Sequence, residues 1–149
     1  MTSDTLANKP DRMAPSDQPL PADEDYMSPR QRDYFRHKLL KWRDALLDEA
    51  QETLEQLRDD SHRDVGDEID RASREASQAL DLRTRDRYRK LVRKIDAALA
   101  RLDDGSYGYC EETGEPIGLA RLEARPIATL SVDAQARREL RERLANRHQ

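Results

Sequence analysis

Two long stretches of the sequence contain no glycine or proline, and each carries apolar residues three or four positions apart. The first follows Pro29 and reaches about residue 60, and the second runs from about residue 67 to 104. Such spacing lines one face of an α-helix with apolar side chains. Because neither helix can bury its stripe alone and only a short polar turn joins them, we predict an antiparallel coiled-coil hairpin over residues 28–105 with its tip near residues 61–70. The predicted stripes are Phe35, Leu39, Trp42, Leu46, Ala50, Leu54 and Leu57, then Ile69, Ala72, Ala76, Leu80, Tyr88, Leu91, Ile95, Ala98 and Leu102.

The segments outside the two helical stretches have a different composition. Residues 1–27 hold four of the seven prolines and show no hydrophobic period, so we predict a mostly flexible segment. Residues 106–130 hold three of the five glycines among short apolar pieces, which indicates a small loop-rich globular module. Ser131 suits the cap of a last helix over residues 131–149. The predicted fold class is therefore mainly α.

Composition and charge exclude several classes of protein. Charged residues make up 39% of the chain and hydrophobic residues 36%, which is too polar for a deep core throughout. The net charge of −4 argues against DNA binding, and one cysteine excludes an internal disulfide. The sequence shows no membrane-spanning run, no signal peptide and no enzyme motif with a known mechanism. We expect a soluble, cytoplasmic protein that is not an enzyme.

Charge is sorted along the predicted hairpin. Six acidic residues lie between Asp59 and Asp70 at the tip, whereas eight basic residues and only two acids lie between Arg83 and Arg101. The basic run has two interpretations, a solvated helix face or a surface that holds a negatively charged partner. Asp67 and Asp70 likewise fit either the capped start of the second helix or a functional acidic tip.

Several motifs in this chain resemble a known family. The segment from Asp67 to Ala72 resembles the Asp-x-x-Asp-x-Ala signature of the DksA/TraR family of bacterial RNA polymerase-binding transcription factors. The segments that begin at Tyr107 and Arg121 look like parts of that family's zinc-finger module. The similarity extends from about Tyr26 to the C-terminus, so residues 106–130 are expected to form a zinc-finger-like module.

The resemblance also shows where the zinc ligands of the family would fall. Four cysteines bind one zinc ion in the family, and the matching positions here are Cys110, Thr113, Ser131 and Ala134. Hydroxyl and methyl groups do not replace thiolates on a structural zinc ion. We therefore expect a metal-free module that needs no cofactor and in which Ser131 caps a helix.

The resemblance implies a mechanism and a set of partners. Members of the family bind RNA polymerase directly, without binding DNA or membranes, by inserting the coiled coil into the secondary channel formed with the β′ subunit. They act with (p)ppGpp in the stringent response, inhibiting ribosomal RNA promoters and activating some amino-acid promoters. The implied tip residues are Asp67, Asp70 and Ala72, the implied (p)ppGpp-binding residues are Leu91, Lys94 and Arg125, and the implied polymerase contacts are Arg87 and Arg121. A further basic position of the family falls on Gln135.

If the protein is a regulator of this kind, we expect it to be a monomer. The sequence also leaves two other functions open. A coiled-coil adaptor would use the tip and module only to dock another protein. A secondary-channel transcript-cleavage factor would chelate Mg²⁺ with Asp67 and Asp70, which are spaced one helical turn apart.

Overall fold

A computed structural model describes residues 19–63 and 71–148, and most of these residues are helical. The helices are α1 (Pro29–Arg63), α2 (Arg71–Asp104), α3 (Leu119–Ala124) and α4 (Val132–Asn146). In the described part of the chain, extended pairing is limited to an isolated antiparallel bridge between Tyr109 and Pro116. The predicted mainly α fold class, with a helical hairpin and a C-terminal helix, is confirmed.

Local sequence signals explain where the helices begin and end. The hydroxyl of Ser28 accepts a hydrogen bond from the amide of Gln31 at 3.2 Å, and Pro29 occupies the first helical position, where no amide hydrogen is needed. Gly105 ends α2 in the left-handed region with φ 84°, and the Ser106 amide then bonds the carbonyl of Arg101 at 3.0 Å. Ser131 caps α4 by accepting from the amide of Ala134.

The chain divides into two compact units, and the first combines residues up to Leu39 with residues from Ala98 onward. Here α1 and α2 run antiparallel, because Arg36 near the start of α1 pairs with Asp103 near the end of α2 at 2.8 Å. Aromatic and aliphatic side chains from both helices and from the module form its core. The fully buried large side chains of this unit are Phe35, Leu39, Leu122, Leu130 and Gln31.

The second unit comprises Leu40–Ala97, the middle of the hairpin. Arg43 pairs with Asp96 at 2.7 Å, and the Thr53 hydroxyl lies 3.2 Å from that of Tyr88, so the helices are antiparallel here too. Its buried apolar side chains are Leu46, Tyr88 and Ile95. No helix among the described residues is long and apolar enough to cross a membrane.

The apolar stripe of α2 is buried over only part of its predicted length. Residues 71–80 are all exposed, including Ala72, Ala76 and Leu80, whereas Leu54 and Leu57 of α1 are half-buried. Two of the three exposed stripe residues are alanines, which bury little area, and polar residues interrupt the stripe before Tyr88. The predicted stripe residue Ile69 lies outside the described residues.

Candidate functional site

The acidic tip predicted from the sequence falls largely outside the described part of the chain. Asp67 and Asp70 both lie there, and the structure gives no geometry for them. Ala72 is described, and it is exposed in the first turn of α2. The tip assignments therefore stay a prediction from the resemblance.

A stripe of positive charge follows one face of α2 within the second unit. Arg83, Arg87, Lys90 and Lys94 are spaced by four, three and four residues, so they share a helix face, and all four are exposed. Arg85 and Arg89 lie on other faces and pair with Asp81 and Asp86. Among the described residues, the four cations of the stripe form no ion pair, so their charge is available to an anionic partner.

Leu91 and Arg87 each have a distinct environment on α2. Leu91 is half-buried, which leaves part of its side chain open to solvent beside the exposed Lys94. The Arg87 guanidinium lies 5.1 Å from the ring centroid of Tyr88 and so has a cation–π contact within the chain. This contact orients Arg87 without neutralising its charge.

The basic residues predicted in the module differ in their environments. Arg121 is half-buried, and its Nε donates to the carbonyl of Leu130 at 2.9 Å, which ties α3 to the segment before α4. Arg125 follows α3 directly and is exposed. Gln135, at the position where the family has a basic residue, donates its side-chain amide to Glu139 at 3.0 Å. Arg121 therefore has a structural role whatever else it binds.

The four positions that match the zinc ligands lie in or beside the loop segments of the module. Cys110 is 3% exposed, and its amide donates to the carbonyl of Glu115 at 2.8 Å. The Thr113 hydroxyl accepts from the amide of Glu115, and the Ser131 hydroxyl accepts from the amide of Ala134. The Ser131 hydroxyl thus acts as the helix cap expected from the sequence.

Hydrogen bonding shifts the acidity of the single cysteine. Burial by itself raises the pKa of the Cys110 thiol, because it disfavours the charged thiolate. The Thr113 hydroxyl and the backbone amides of Ser131, Thr113 and Glu112 donate to the sulfur and outweigh burial, so the pKa falls to about 6. These hydrogen bonds therefore favour the thiolate form of Cys110 relative to an ordinary cysteine.

A polar cluster that the sequence analysis missed ties α3 to α1. Lys38 Nζ donates to the Glu123 carboxylate at 2.8 Å and to its carbonyl at 3.0 Å, and the Tyr34 hydroxyl donates to the same carboxylate oxygen at 2.7 Å. Burial and this carboxylate raise the pKa of Tyr34 to about 12. Burial alone would raise the pKa of Glu123, but the hydrogen bonds from Lys38 and Tyr34 lower it below its usual range.

We expect Glu123→Gln to destabilise the protein by about 0.5–1 kcal/mol at pH 7 and to remove a pH dependence. A carboxylate whose pKa is lower in the folded state stabilises the fold above its unfolded pKa, and this stabilisation is lost as the pH falls through the folded pKa. The difference in Tm between wild type and variant should therefore shrink between pH 7 and pH 3. Glu111→Gln, at an exposed position of the same module, is the control. A difference that does not change with pH would contradict the assignment.

The segment before α1 supplies a second group of contacts that sequence reasoning did not foresee. Residues 1–27 were expected to be mostly flexible, and residues 1–18 of this segment lie outside the described part of the chain. In the part that is described, the Tyr26 hydroxyl donates to the carbonyl of Gly108 at 2.5 Å and accepts from the amide of Gly118 at 3.0 Å. Met27 is 8% exposed. The one sequence signal for these contacts is a Tyr-Met pair directly before the Ser-Pro helix start in an otherwise apolar-poor segment.

Comparison with known proteins covers nearly all of the described chain. Residues 31–102 match the family described as DnaK suppressor protein DksA, N-terminal domain, and residues 105–140 match the prokaryotic dksA/traR C4-type zinc finger. The RNA polymerase-binding transcription factor DksA of Caulobacter vibrioides is 60% identical over 82% of this chain and 85% of its own length. The protein of the same name from Escherichia coli is 42% identical over 80% of this chain and 79% of its own length.

A solved structure shows the same similarity in three dimensions. Transcription factor DksA2 from Pseudomonas aeruginosa has a TM-score of 0.71 and 48% identity, and the match covers 82% of this chain and 95% of that chain. At 48% identity, the similarity in sequence and the similarity in structure both indicate that the two proteins are related.

The comparison corrects the expectation that zinc is not needed. That expectation is wrong, because the module matches a family described by a C4-type zinc finger, which points to zinc binding. Over residues 19–63 and 71–148, however, no group of three or more His, Cys, Asp or Glu side chains is arranged to hold a metal ion. Cys110 is the one thiol at the four matching positions, so these four side chains alone do not supply the ligands of a C4 site.

The two matched regions follow each other along the chain, as hairpin and module follow each other in the structure. The relatives cover about four-fifths of the chain, so the likeness extends across its helices and its module. This chain belongs to the DksA/TraR family.

Proposed function

We propose that this protein is a transcription regulator that binds RNA polymerase directly and has no catalytic activity of its own. The observation that carries the proposal is the identity of 60% and 42% to relatives named RNA polymerase-binding transcription factors, over about four-fifths of both chains. The described geometry is compatible, because the middle of the hairpin presents charged side chains to solvent over most of its surface. The net charge of −4 disfavours binding to DNA, which agrees with a protein as the proposed partner.

We further propose that the hairpin enters the secondary channel of the polymerase, beside the β′ subunit. The tip residues Asp67, Asp70 and Ala72 would then approach the active site, where carboxylates can contact basic polymerase residues or perturb the region of the catalytic magnesium. The four-residue cation stripe on α2 supports contact along the hairpin, because its charges are exposed and unpaired within the described chain. Arg87 is the member of the stripe proposed to touch polymerase, and the free end of the Arg121 guanidinium is proposed as a second contact.

We also propose that (p)ppGpp binds at the interface with polymerase and strengthens the effect on promoters. The chain's contributions are Leu91, Lys94 and Arg125. Lys94 and Arg125 are exposed, which suits contact with an anionic nucleotide held partly by another protein. Gln135 supplies no charge, so the effector has one cationic contact fewer than in the family pattern. The expected result in the cell is inhibition of ribosomal RNA promoters and activation of some amino-acid promoters.

The test is in vitro transcription from a ribosomal RNA promoter with the cognate polymerase, with and without ppGpp. We expect the wild-type protein to inhibit, ppGpp to deepen the inhibition, and Asp70→Asn to remove it while leaving the Kd for polymerase within about threefold, because the substitution removes a charge and not the hairpin surface. Asp48→Asn is the matched control, since Asp48 is an exposed acid of α1 that lies outside the acidic tip segment.

Three results would contradict the proposal. If Asp70→Asn regulated as well as wild type, the tip would not act at the active site. If the wild-type protein bound no polymerase, a coiled-coil adaptor would be favoured. Stimulated transcript cleavage in stalled complexes, without a promoter effect, would favour a cleavage factor.

A further inference from the structure

The ten-residue loop that contains Cys110 has two arms that meet at its base. The amide of Ile117 donates to the carbonyl of Gly108 at 2.8 Å, and the amide of Cys110 donates to the carbonyl of Glu115 at 2.8 Å. The Tyr109–Pro116 bridge lies between these contacts. The loop is therefore a short hairpin-like turn with its ends at Gly108 and at Ile117–Gly118.

One side chain from a distant part of the sequence joins both ends of this loop. The Tyr26 hydroxyl donates to the Gly108 carbonyl at 2.5 Å and accepts from the Gly118 amide at 3.0 Å. A hydroxyl can donate once and accept as well, so a single oxygen satisfies both loop ends. The Tyr26 ring also packs edge-on against Tyr109 at 5.6 Å. Burial raises the pKa of Tyr26, so the phenol keeps the proton that it donates.

The residue after Tyr26 fills the space against the first loop end. A Cβ atom at Gly108 would lie 2.9 Å from Met27 Sδ, closer than Cβ atoms normally approach, and 3.1 Å from the Tyr26 hydroxyl, which is a tight contact. Glycine at this position therefore lets residues 26 and 27 lie directly against the loop without displacement of the Met27 side chain. Its φ of +89° also favours glycine on backbone grounds.

The anchor of this segment lies at the start of α1. The Met27 amide donates to Gln31 Oε1 at 2.8 Å, and Gln31 Nε2 donates to the carbonyl of Pro21 at 2.8 Å. Gln31 is fully buried. Residues 19–28 are thereby attached to the helix on one side and to the loop on the other, and we call them the strap.

We propose that the strap keeps the Cys110 loop in its closed conformation through the two hydrogen bonds of the Tyr26 hydroxyl. Tyr26 is then a positioning residue, acting on the loop through Gly108 and Gly118. The loop opens when these hydrogen bonds are lost, while the helices stay folded, because the large apolar side chains that are fully buried lie outside both the loop and the strap. This conformational equilibrium belongs to the free protein and needs no polymerase.

Tyr26→Phe tests whether the Tyr26 hydroxyl keeps the loop closed, because it removes the hydroxyl and keeps the ring. Amide hydrogen exchange measured residue by residue in the full chain should be about tenfold faster at Ile117 and Gly118, the ratio expected for loss of a buried hydrogen bond. The Gln135 amide, which bonds the Ser131 carbonyl in α4, should be unchanged. Tyr109→Phe is the matched control, since the Tyr109 ring lies beside Tyr26 but its side chain is 37% exposed.

A pair of glycine variants tests the contact between the strap and the loop by changing the loop instead of the strap. Gly108→Ala should accelerate the same two amides, because the new Cβ displaces Met27 and Tyr26. Gly114→Ala has a similar backbone strain at φ +73° but meets no atom within 4 Å, so it should accelerate them far less. Unchanged exchange at Ile117 and Gly118 in Tyr26→Phe would overturn the proposal. Equal acceleration at Gln135 would also overturn it, since the effect would then be global loosening.

Discussion

Leu39→Ala is expected to lower the free energy of unfolding by about 3–5 kcal/mol, whereas Leu40→Ala, one residue further along the same helix, should cost less than about 1 kcal/mol. Leu39 is fully buried in the first unit, and Leu40 is 42% exposed. Truncation of a buried leucine loses the transfer free energy of the removed atoms and leaves a cavity, but truncation of an exposed leucine loses little of either.

The pair isolates burial from every other property of the substitution. Both variants remove the same atoms from α1, and alanine favours a helix equally at both positions. Urea unfolding followed by circular dichroism gives the two free energies, provided that the slope m is unchanged. Equal destabilisation by the two variants would mean that the face of α1 that packs in the first unit has been misidentified.

The hairpin could be predicted from the sequence because its signals repeat. Apolar residues three or four apart placed Phe35, Leu39 and Leu46 on one face, and the structure buries all three. The Ser-Pro and Gly signals at the helix ends are also local, since they act on amides or carbonyls within a few residues. The same reasoning predicted too long a buried stripe, since residues 71–80 are exposed. Periodicity shows which face of a helix is apolar but not whether another surface packs against that face.

The contacts between the module and the residues at and before the start of α1 could not be predicted in this way. Lys38 and Glu123 are 85 residues apart in sequence, and Tyr26 and Gly118 are 92 apart, so neither pairing leaves a local pattern. The six-residue helix α3 is too short for a hydrophobic period to reveal it. The acidic tip was assigned by resemblance and stays a prediction, because an Asp-x-x-Asp spacing also suits a helix cap.

Gln31→Leu is expected to destabilise the protein by about 2–4 kcal/mol, although leucine has a similar volume and is more apolar. The side chain of Gln31 is the partner of the Met27 amide and of the Pro21 carbonyl, and it is fully buried. A leucine would leave that donor and that acceptor without the side-chain partner, and each buried group left unsatisfied costs about 1–3 kcal/mol. Gln51→Leu is the control, since Gln51 lies on the same helix and is exposed.

The backbone of Met27 links the loss at Gln31 to the packing of the strap against Gly108. The φ of Met27 is 56°, in the left-handed region that residues other than glycine rarely adopt. Surrounding contacts such as the hydrogen bond to Gln31 hold the backbone there. Without Gln31 Oε1 as its acceptor, the Met27 backbone can relax, and relaxation moves the sulfur that lies against Gly108. Thermal unfolding should show the lower Tm for Gln31→Leu but not for Gln51→Leu. A variant at position 31 as stable as wild type would mean that the strap contributes nothing to the folded state, because its anchor could then be removed without effect.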